Sequence, residues 1–348
     1  MSAPQFVVTV DVEDFFEPRP PFDTYRAEIG NRAYGTPLIM DLLERHGGRG
    51  TFFVDVYNRR TVTEQIIAET MREIDTRGHE VGLHTHPAFP EGRRGYGMAQ
   101  TMRTLDLVAQ TDFIREGIEL IDRWIGKRPV SHRAGGYGAD YNTLRALAAN
   151  GISIDSSLFF GYPYCKLNDP PLSANAPVCA EGVLEIPVTV TRCDLMLGPF
   201  KKAPRILSLI KKLDPDWCSP GELRRQIKAL INAGTNPIIL FLHSYSLIDI
   251  EKDFRPDHRA INTLDQILAD LREHFGGELV TLERAARQIT ETHSNSLTLP
   301  PVVPSDILLR DRELTWWLLR KVRLRHLGLV WSSRISRVGQ GRATAQSS

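Results

Sequence analysis

Ten histidines occur in 348 residues, and three of them fall in the run HEVGLHTH, His79 to His86. His84 and His86 leave the end of a short apolar stretch. A spacing of two puts both imidazoles on one face wherever the strand continues. Two neutral imidazoles on one face can share a metal ion. His79 opens the same stretch at its opposite end and reads as a hydrogen-bonded or exposed side chain. A second cluster is acidic. In VTVDVEDFF the alternation places Asp11 and Glu13 on one side of a strand, with Asp14 near the turn that follows. A hard or borderline divalent cation takes carboxylate oxygen and imidazole nitrogen. A separate carboxylate can then act as general base on a water. Acids at a loop start are common, so D-x-E-D alone identifies nothing. Joined to a histidine pair at another strand end, it points to a metal.

Three further residues sit at strand ends. Arg133 lies in SHRAGGYGAD, where the glycines allow close approach of a ligand or a neighbouring backbone. An arginine there can fix a carboxylate and keep it ionised. His243 ends PIILFLH, the strongest apolar strand of the chain, and suits a general acid whose pKa is set by a neighbour. Asp155, in ISIDSS, is the candidate neighbour.

These residues need a frame that brings distant segments together. Apolar, β-branched runs predict strands at Phe6–Val10, Thr51–Val56, His79–Leu83, Val130–Arg133, Ile152–Ile154, Val183–Val190, Pro237–Leu242 and Glu278–Thr281. Amphipathic periodicity predicts helices over Thr36–His46 (capped by Thr36), Thr63–Arg77, Thr111–Ile125, Asp140–Asn150, Gly221–Ala233 and Arg259–Phe275. Strands and helices thus alternate, which predicts an α/β fold with a parallel sheet covered by helices. In a βα barrel the C-terminal strand ends converge on one mouth, so Asp11, His84, Arg133 and His243 can meet.

Composition excludes little but excludes it firmly. With 42% hydrophobic and 24% charged residues the chain is neither disordered nor fibrous. A net charge of +1 argues against a general nucleic-acid binder. Four scattered cysteines, Cys165, Cys179, Cys193 and Cys218, form no C-x-x-C pair and read as reduced, mostly buried thiols. The N-terminus has neither a basic segment nor a long apolar one, so no export signal is expected. No run of about 18 apolar residues predicts a spanning helix.

The ordered set VTVDVED, HEVGLHTHP, HRAGGYG, DSS and FLH resembles the five motifs of the polysaccharide deacetylase family, the NodB-homology carbohydrate esterases. The likeness spans about residues 5–290, and TFFV at 51–54 is similar to the family's second strand. It implies a distorted, incomplete (β/α) barrel, a divalent metal, usually zinc, and hydrolysis of an N-acetyl group on a carbohydrate. By position it implies Asp11 as base, Asp14 and His84 as metal ligands, Arg133 as the residue orienting Asp11, His243 as general acid and Asp155 as its tuner; His86 is assigned as the second imidazole ligand. Two departures stand out. Glu13 lies between the two aspartates and is an alternative ligand. The family's second histidine comes four residues after the first, a position held here by Ala88, whereas His86 comes two after. An amidase of a small nitrogenous compound and a non-catalytic glycan-binding protein are the alternative readings on the same scaffold.

The C-terminal part differs in character. Residues 1–293 are expected to form the catalytic domain, 294–305 a proline-rich linker, and 306–348 a basic amphipathic helical tail. From Arg320 onward there are seven basic residues and no acid, leaving 36 basic against 42 acidic residues upstream. WWLLRKVRLRHLGLVW fits a helix on an anionic membrane surface; a helix docked on its own barrel or on a partner fits equally well. With no export signal, this points to the cytoplasmic side of a membrane and to an acetylated glycan or glycan precursor as substrate.

Overall fold

A computed structural model describes residues 3–14, 22–58, 62–87, 101–169, 172–196, 205–215, 217–250, 254–292 and 306–308. The linker and almost all of the expected tail lie outside the described residues. The chain divides into two units, Met1–Cys193 with Leu209–Ile307, and Asp194–Ser208 with Leu308–Ser348. The first unit carries every residue singled out above for chemistry.

Its frame is a nine-stranded sheet. The strands are β1 (Gln5–Val12), β2 (Thr51–Asp55), β3 (Glu80–Thr85), β4 (Ser131–Ala134), β5 (Ile154–Asp155), β6 (Val178–Ala180), β7 (Val183–Glu185), β8 (Ile238–His243) and β9 (Glu278–Leu279). Their order is β8-β1-β2-β3-β4-β5-β7-β6, and β9 pairs with the start of β1. Neighbours run parallel except in the β6–β7 hairpin. The sheet curls into an incomplete (β/α) barrel. At the outer edge of β8, Ile239 N donates to Thr189 Oγ1 at 2.8 Å and Phe241 N to Leu213 O at 2.9 Å.

Seven helices of this unit follow the amphipathic pattern: α1 (Thr36–Arg45), α2 (Glu64–Thr76), α3 (Leu107–Ile125), α4 (Tyr141–Ala149), α5 (Pro220–Asn232), α6 (His258–Glu273) and α7 (Leu282–Thr292). In α2 the apolar positions Ile67, Met71 and Ile74 are buried, and Thr63 caps it by accepting from Ile66 N. α4 opens with a reciprocal cap between Asp140 and Thr143. The sequence reading of α1 needs one correction. Thr36 lies inside the helix, Gly35 holds the N-cap position, and no side chain caps it. A Cβ at Gly35 would run into the Tyr25 and Arg26 backbone, so a capping side chain has no room there. α7 was not anticipated. Its buried face consists of Leu282, Ala285, Ala286 and Ile289, and the helix is polar overall.

The pleat sorts the side chains into two cores. Phe6, Val8, Val10 and Val12 of β1 pack outward with the helices. Val7, Phe53, Ile154, Leu184 and Ile239 point inward and meet Ala285, Ala286 and Ile289 of α7. α7 therefore covers the N-terminal end of the barrel. Each such aliphatic side chain contributes roughly 1.5–3 kcal/mol on burial. Cys165 and Cys218 are buried as expected, whereas Cys179 is exposed on the β6 edge.

Candidate active site and metal centre

The strand register brings the predicted residues into one layer. Asp11 pairs with His243 across β1 and β8, Asp55 with His84 across β2 and β3, and His84 with Arg133 across β3 and β4. Because parallel neighbours in register share a face, these side chains converge inside the barrel at its C-terminal mouth.

Glu13 is the centre of the cluster. Its Oε2 lies 3.1 Å from His84 Nε2 and 2.7 Å from His86 Nε2. Its Oε1 lies 3.4 Å from His243 Nε2 and accepts from the Tyr245 hydroxyl at 3.2 Å. Glu13, His84 and His86 offer one donor atom each within 4.8 Å of one another. One carboxylate and two imidazoles are a sound donor set for a borderline divalent cation, with positions left open for water or substrate. The two histidines are not equivalent. His84 is fully buried, while His86 is 18% exposed at the rim. The glycines of HRAGGYG have their explanation here, because a Cβ at Gly135 would overlap the His86 ring.

The electrostatics suit a cation. Burial alone would lift the Glu13 carboxyl, yet His86 and His84 hold it well below the usual carboxylate range. Burial would lower His84, but Asp11 and Glu13 raise it to about 9. Asp55 is pushed up to about 6 by burial, against the pull of His86 and His84. Its Oδ1 accepts from Tyr57 N at 2.9 Å, and its Oδ2 is buried without a hydrogen-bond partner, as is His84 Nδ1. A concentrated negative site that must protonate a histidine to balance itself is one a divalent ion can neutralise.

Asp11 is separately anchored. Arg133 Nη1 donates to Asp11 Oδ1 and to Thr9 Oγ1, each at 2.9 Å, and its remaining nitrogens donate to the Ser156 carbonyl and hydroxyl at 2.9 and 3.0 Å. Arg133 is itself fully buried, with its guanidinium 4.5 Å from the Phe53 ring centroid. Asp11 Oδ2 is left facing His84 Nε2 at 3.9 Å. His243 closes the other side. It stacks on Tyr245 at 4.6 Å between centroids and is 26% exposed, the most open of the cluster's imidazoles. Burial pushes it down to about 4.

Two residues stand elsewhere than the sequence reading expects. Asp14 follows the end of β1 and accepts from Thr24 Oγ1 at 3.1 Å; Glu13, not Asp14, joins His84 and His86. The pleat is the reason, since Asp11 and Glu13 share the inward face and Asp14 falls past it. Asp155 lies on the outward face, in register with His132. Its Oδ1 meets His132 Nδ1 at 2.7 Å and accepts from Ser157 Oγ at 2.8 Å, while His132 Nε2 meets Thr85 Oγ1 at 2.9 Å. Beside it, burial and the Asp155 charge push the Glu185 carboxyl well above the usual carboxylate range. Asp155 thus braces strands β3 to β5 from behind the site and does not reach His243 through this network. Tyr245, Thr9, Ser156 and Asp55 escaped the sequence reading. Tyr245, two residues after His243, carries a signal of the kind already used for His84 and His86, and Asp55 carries one in its place at the end of β2. His79 is structural, as read: Nδ1 accepts from Gly50 N at 3.0 Å and Nε2 meets Glu44 at 3.1 Å.

Residues 22–154 match the family model described as polysaccharide deacetylase. No curated protein matches the chain. Among solved structures, a Mycobacterium smegmatis protein assigned by name to the polysaccharide deacetylases has 16% identity and a TM-score of 0.52, covering 88% of this chain and 95% of its own. Peptidoglycan deacetylase PdaC from Bacillus subtilis has 17% identity and a TM-score of 0.40, covering 84% and 94%. A family 4 acetyl xylan esterase from Clostridium thermocellum, solved with cobalt, has 15% identity and a TM-score of 0.41, covering 82% and 91%. At such identities the Mycobacterium likeness is one of fold.

Proposed function

We propose that this chain, a member of the polysaccharide deacetylase family of hydrolases, removes the acetyl group from an N-acetylated carbohydrate with the help of a divalent metal. The observation that carries the reading is the meeting of Glu13, His84 and His86 beside an Asp11 locked by Arg133 and a His243 on the opposite flank. Glu13, His84 and His86 would hold the cation, zinc being the choice best matched to this donor set. When bound, it supplies Lewis acidity toward the acyl carbonyl and the attacking water. The chain's own residues do the rest. Arg133 keeps Asp11 ionised and turns Oδ2 into the site, where it takes a proton from water. His243, neutral at rest and open to solvent at the mouth, takes a proton from solvent as negative charge develops beside it and delivers it to the departing amine, while the proton that Asp11 takes from water returns to solvent as acetate leaves. Tyr245 holds Glu13 and the His243 ring in place. Partial burial of the cluster keeps bulk water from competing.

Metal analysis of the purified protein, paired with acetate release from a panel of acetylated glycans and cyclic ureides, tests this. Acetate from a glycan supports it; turnover of the ureides alone replaces it with the amidase reading. As part of the same proposal, the basic tail makes peripheral contact with an anionic membrane on its cytoplasmic side, where a lipid- or nucleotide-linked glycan precursor would be the substrate. Liposome flotation unchanged on deleting residues 309–348 would remove that element. Among the described residues no helix is long and apolar enough to cross a membrane.

A further inference from the structure

One acid at the barrel mouth has no task in the chemistry above. Asp55 ends β2, the strand that lies between β1, which leads to Glu13, and β3, which carries His84. It pairs with His84 on one side. On the other, one step past the Val12–Val54 pair sets it beside Glu13. Phe53, two residues earlier, points inward, so Asp55 takes the inward face as well. It is fully buried.

Asp55 is also firmly held. Its Oδ1 accepts from Tyr57 N at 2.9 Å in the turn that leaves the strand. Its carbonyl accepts from the hydroxyl of the fully buried Tyr25. With one oxygen and the backbone anchored, the second oxygen has a set place. That oxygen, Oδ2, is buried and has no hydrogen-bond partner among the described residues. A turn cap needs only one acceptor, which an asparagine or a serine supplies. Burying a second carboxylate oxygen with nothing to pair it costs stability that a cap does not require.

His84 carries the matching defect. Its Nε2 faces the reacting groups, 3.1 Å from Glu13 Oε2 and 3.9 Å from Asp11 Oδ2. Its Nδ1 is buried and likewise has no partner among the described residues. An imidazole that ligates through Nε2 carries its proton on Nδ1, and that N–H ordinarily donates to a carboxylate, a carbonyl or water. A potential donor and an acceptor are thus both left over, on two residues paired in register.

We propose that Asp55 is a positioning residue for the cation site: its Oδ2 accepts the Nδ1–H of His84 when Nε2 takes the ion, fixing the tautomer and tilt of the ring. The inference rests on the cation site proposed above and goes beyond it, because it gives that site an outer carboxylate on a third strand. The test uses the full chain and zinc alone. Zinc affinity is measured by competition with a chromophoric chelator, and the His84 ring protons are followed by nitrogen-edited NMR, for the native chain, Asp55→Asn and Asp55→Ser. In Asp55→Asn the amide oxygen can serve Tyr57 N, which turns the amide NH2 toward His84 Nδ1 and favours the tautomer that cannot ligate. Zinc should bind about 10- to 100-fold more weakly in both variants. The zinc-loaded native chain should show a slowly exchanging, downfield Nδ1–H proton on His84, which both variants shift or lose. Circular dichroism confirms that each variant is folded; if neither is, the native spectrum decides. Equal zinc affinity in native chain and variants, weaker binding with that proton unmoved, or no such proton in the zinc-loaded native chain overturns the role of Asp55 and leaves Glu13, His84 and His86 as ligands. A native chain that binds no zinc overturns the cation site and this role together.

Discussion

Two buried glutamates point into the same barrel, and their surroundings could hardly differ more. At the N-terminal end, Glu80 is fully provided for. Its carboxylate accepts from Ser131 Oγ at 2.6 Å, from Thr51 Oγ1 at 2.8 Å and from Glu283 N at 2.8 Å, at the first turn of α7. All three partners are donors, and the carboxylate sits where a helix N-terminus favours negative charge. At the mouth, Glu13 has three imidazole nitrogens and a phenol around it, groups that can give up a proton or a lone pair. Nearby, Asp55 Oδ2 and His84 Nδ1 are buried with no partner. Burial raises Glu80, whereas the histidines bring Glu13 down. The contrast separates a carboxylate that ties α7 to the sheet from one that, in the function proposed above, would hold the cation. Both are buried polar groups in a parallel sheet; saturation with plain donors marks the first, and titratable company marks the second.

The sharpest way to break this comparison is to neutralise the acid beside Glu13. Asp11→Asn should lower kcat by about 10²- to 10⁴-fold on an N-acetylated glycan, while retaining metal content and thermal stability. Near-normal turnover would remove Asp11 from the role of base. The opposite end should respond in the opposite currency. Glu80→Leu leaves three buried donors unpaired and should destabilise the fold by about 2–5 kcal/mol in denaturant titrations, with kcat per folded molecule little changed. A loss of turnover without a loss of stability would mean that Glu80 belongs to the site.

A smaller effect tests the histidine that stays out of the chemistry. Burial pushes His79 down to about 4, so the unfolded chain binds its proton first as the pH falls. The stability that His79 contributes is complete above about pH 6.5 and is lost progressively toward pH 4. The melting temperature should drop over that window by about 2–6 °C more in the native chain than in His79→Gln. Equal drops would show that His79 is not buried as a neutral ring.

Much of this was legible in the sequence, for physical reasons. A period of two and a period of 3.6 alternate plainly, so the barrel and six of its helices follow from the pattern. α7 does not, because the helix is polar overall and has few large apolar residues, even though these share one face. Strand-end position announced Asp11, His84, Arg133 and His243. Asp155 shares that position, but a strand end says nothing of which face a residue takes once register is set by a neighbour two segments away. The same parity argument, applied strictly to β1, favours Glu13 over Asp14. Thr9 and Ser156 carried no such mark, since their roles arise only from who stands opposite them; Asp55, an acid at the end of β2, carries the same mark as Asp11.

The central claim is that Glu13, with His84 and His86, supplies the cation site. Metal stoichiometry and affinity measured side by side for the native chain, Glu13→Gln and Asp14→Asn decide it. The account predicts one divalent ion per native chain, retained in Asp14→Asn and weakened at least about 100-fold in Glu13→Gln. Retention by Glu13→Gln with loss in Asp14→Asn would contradict it.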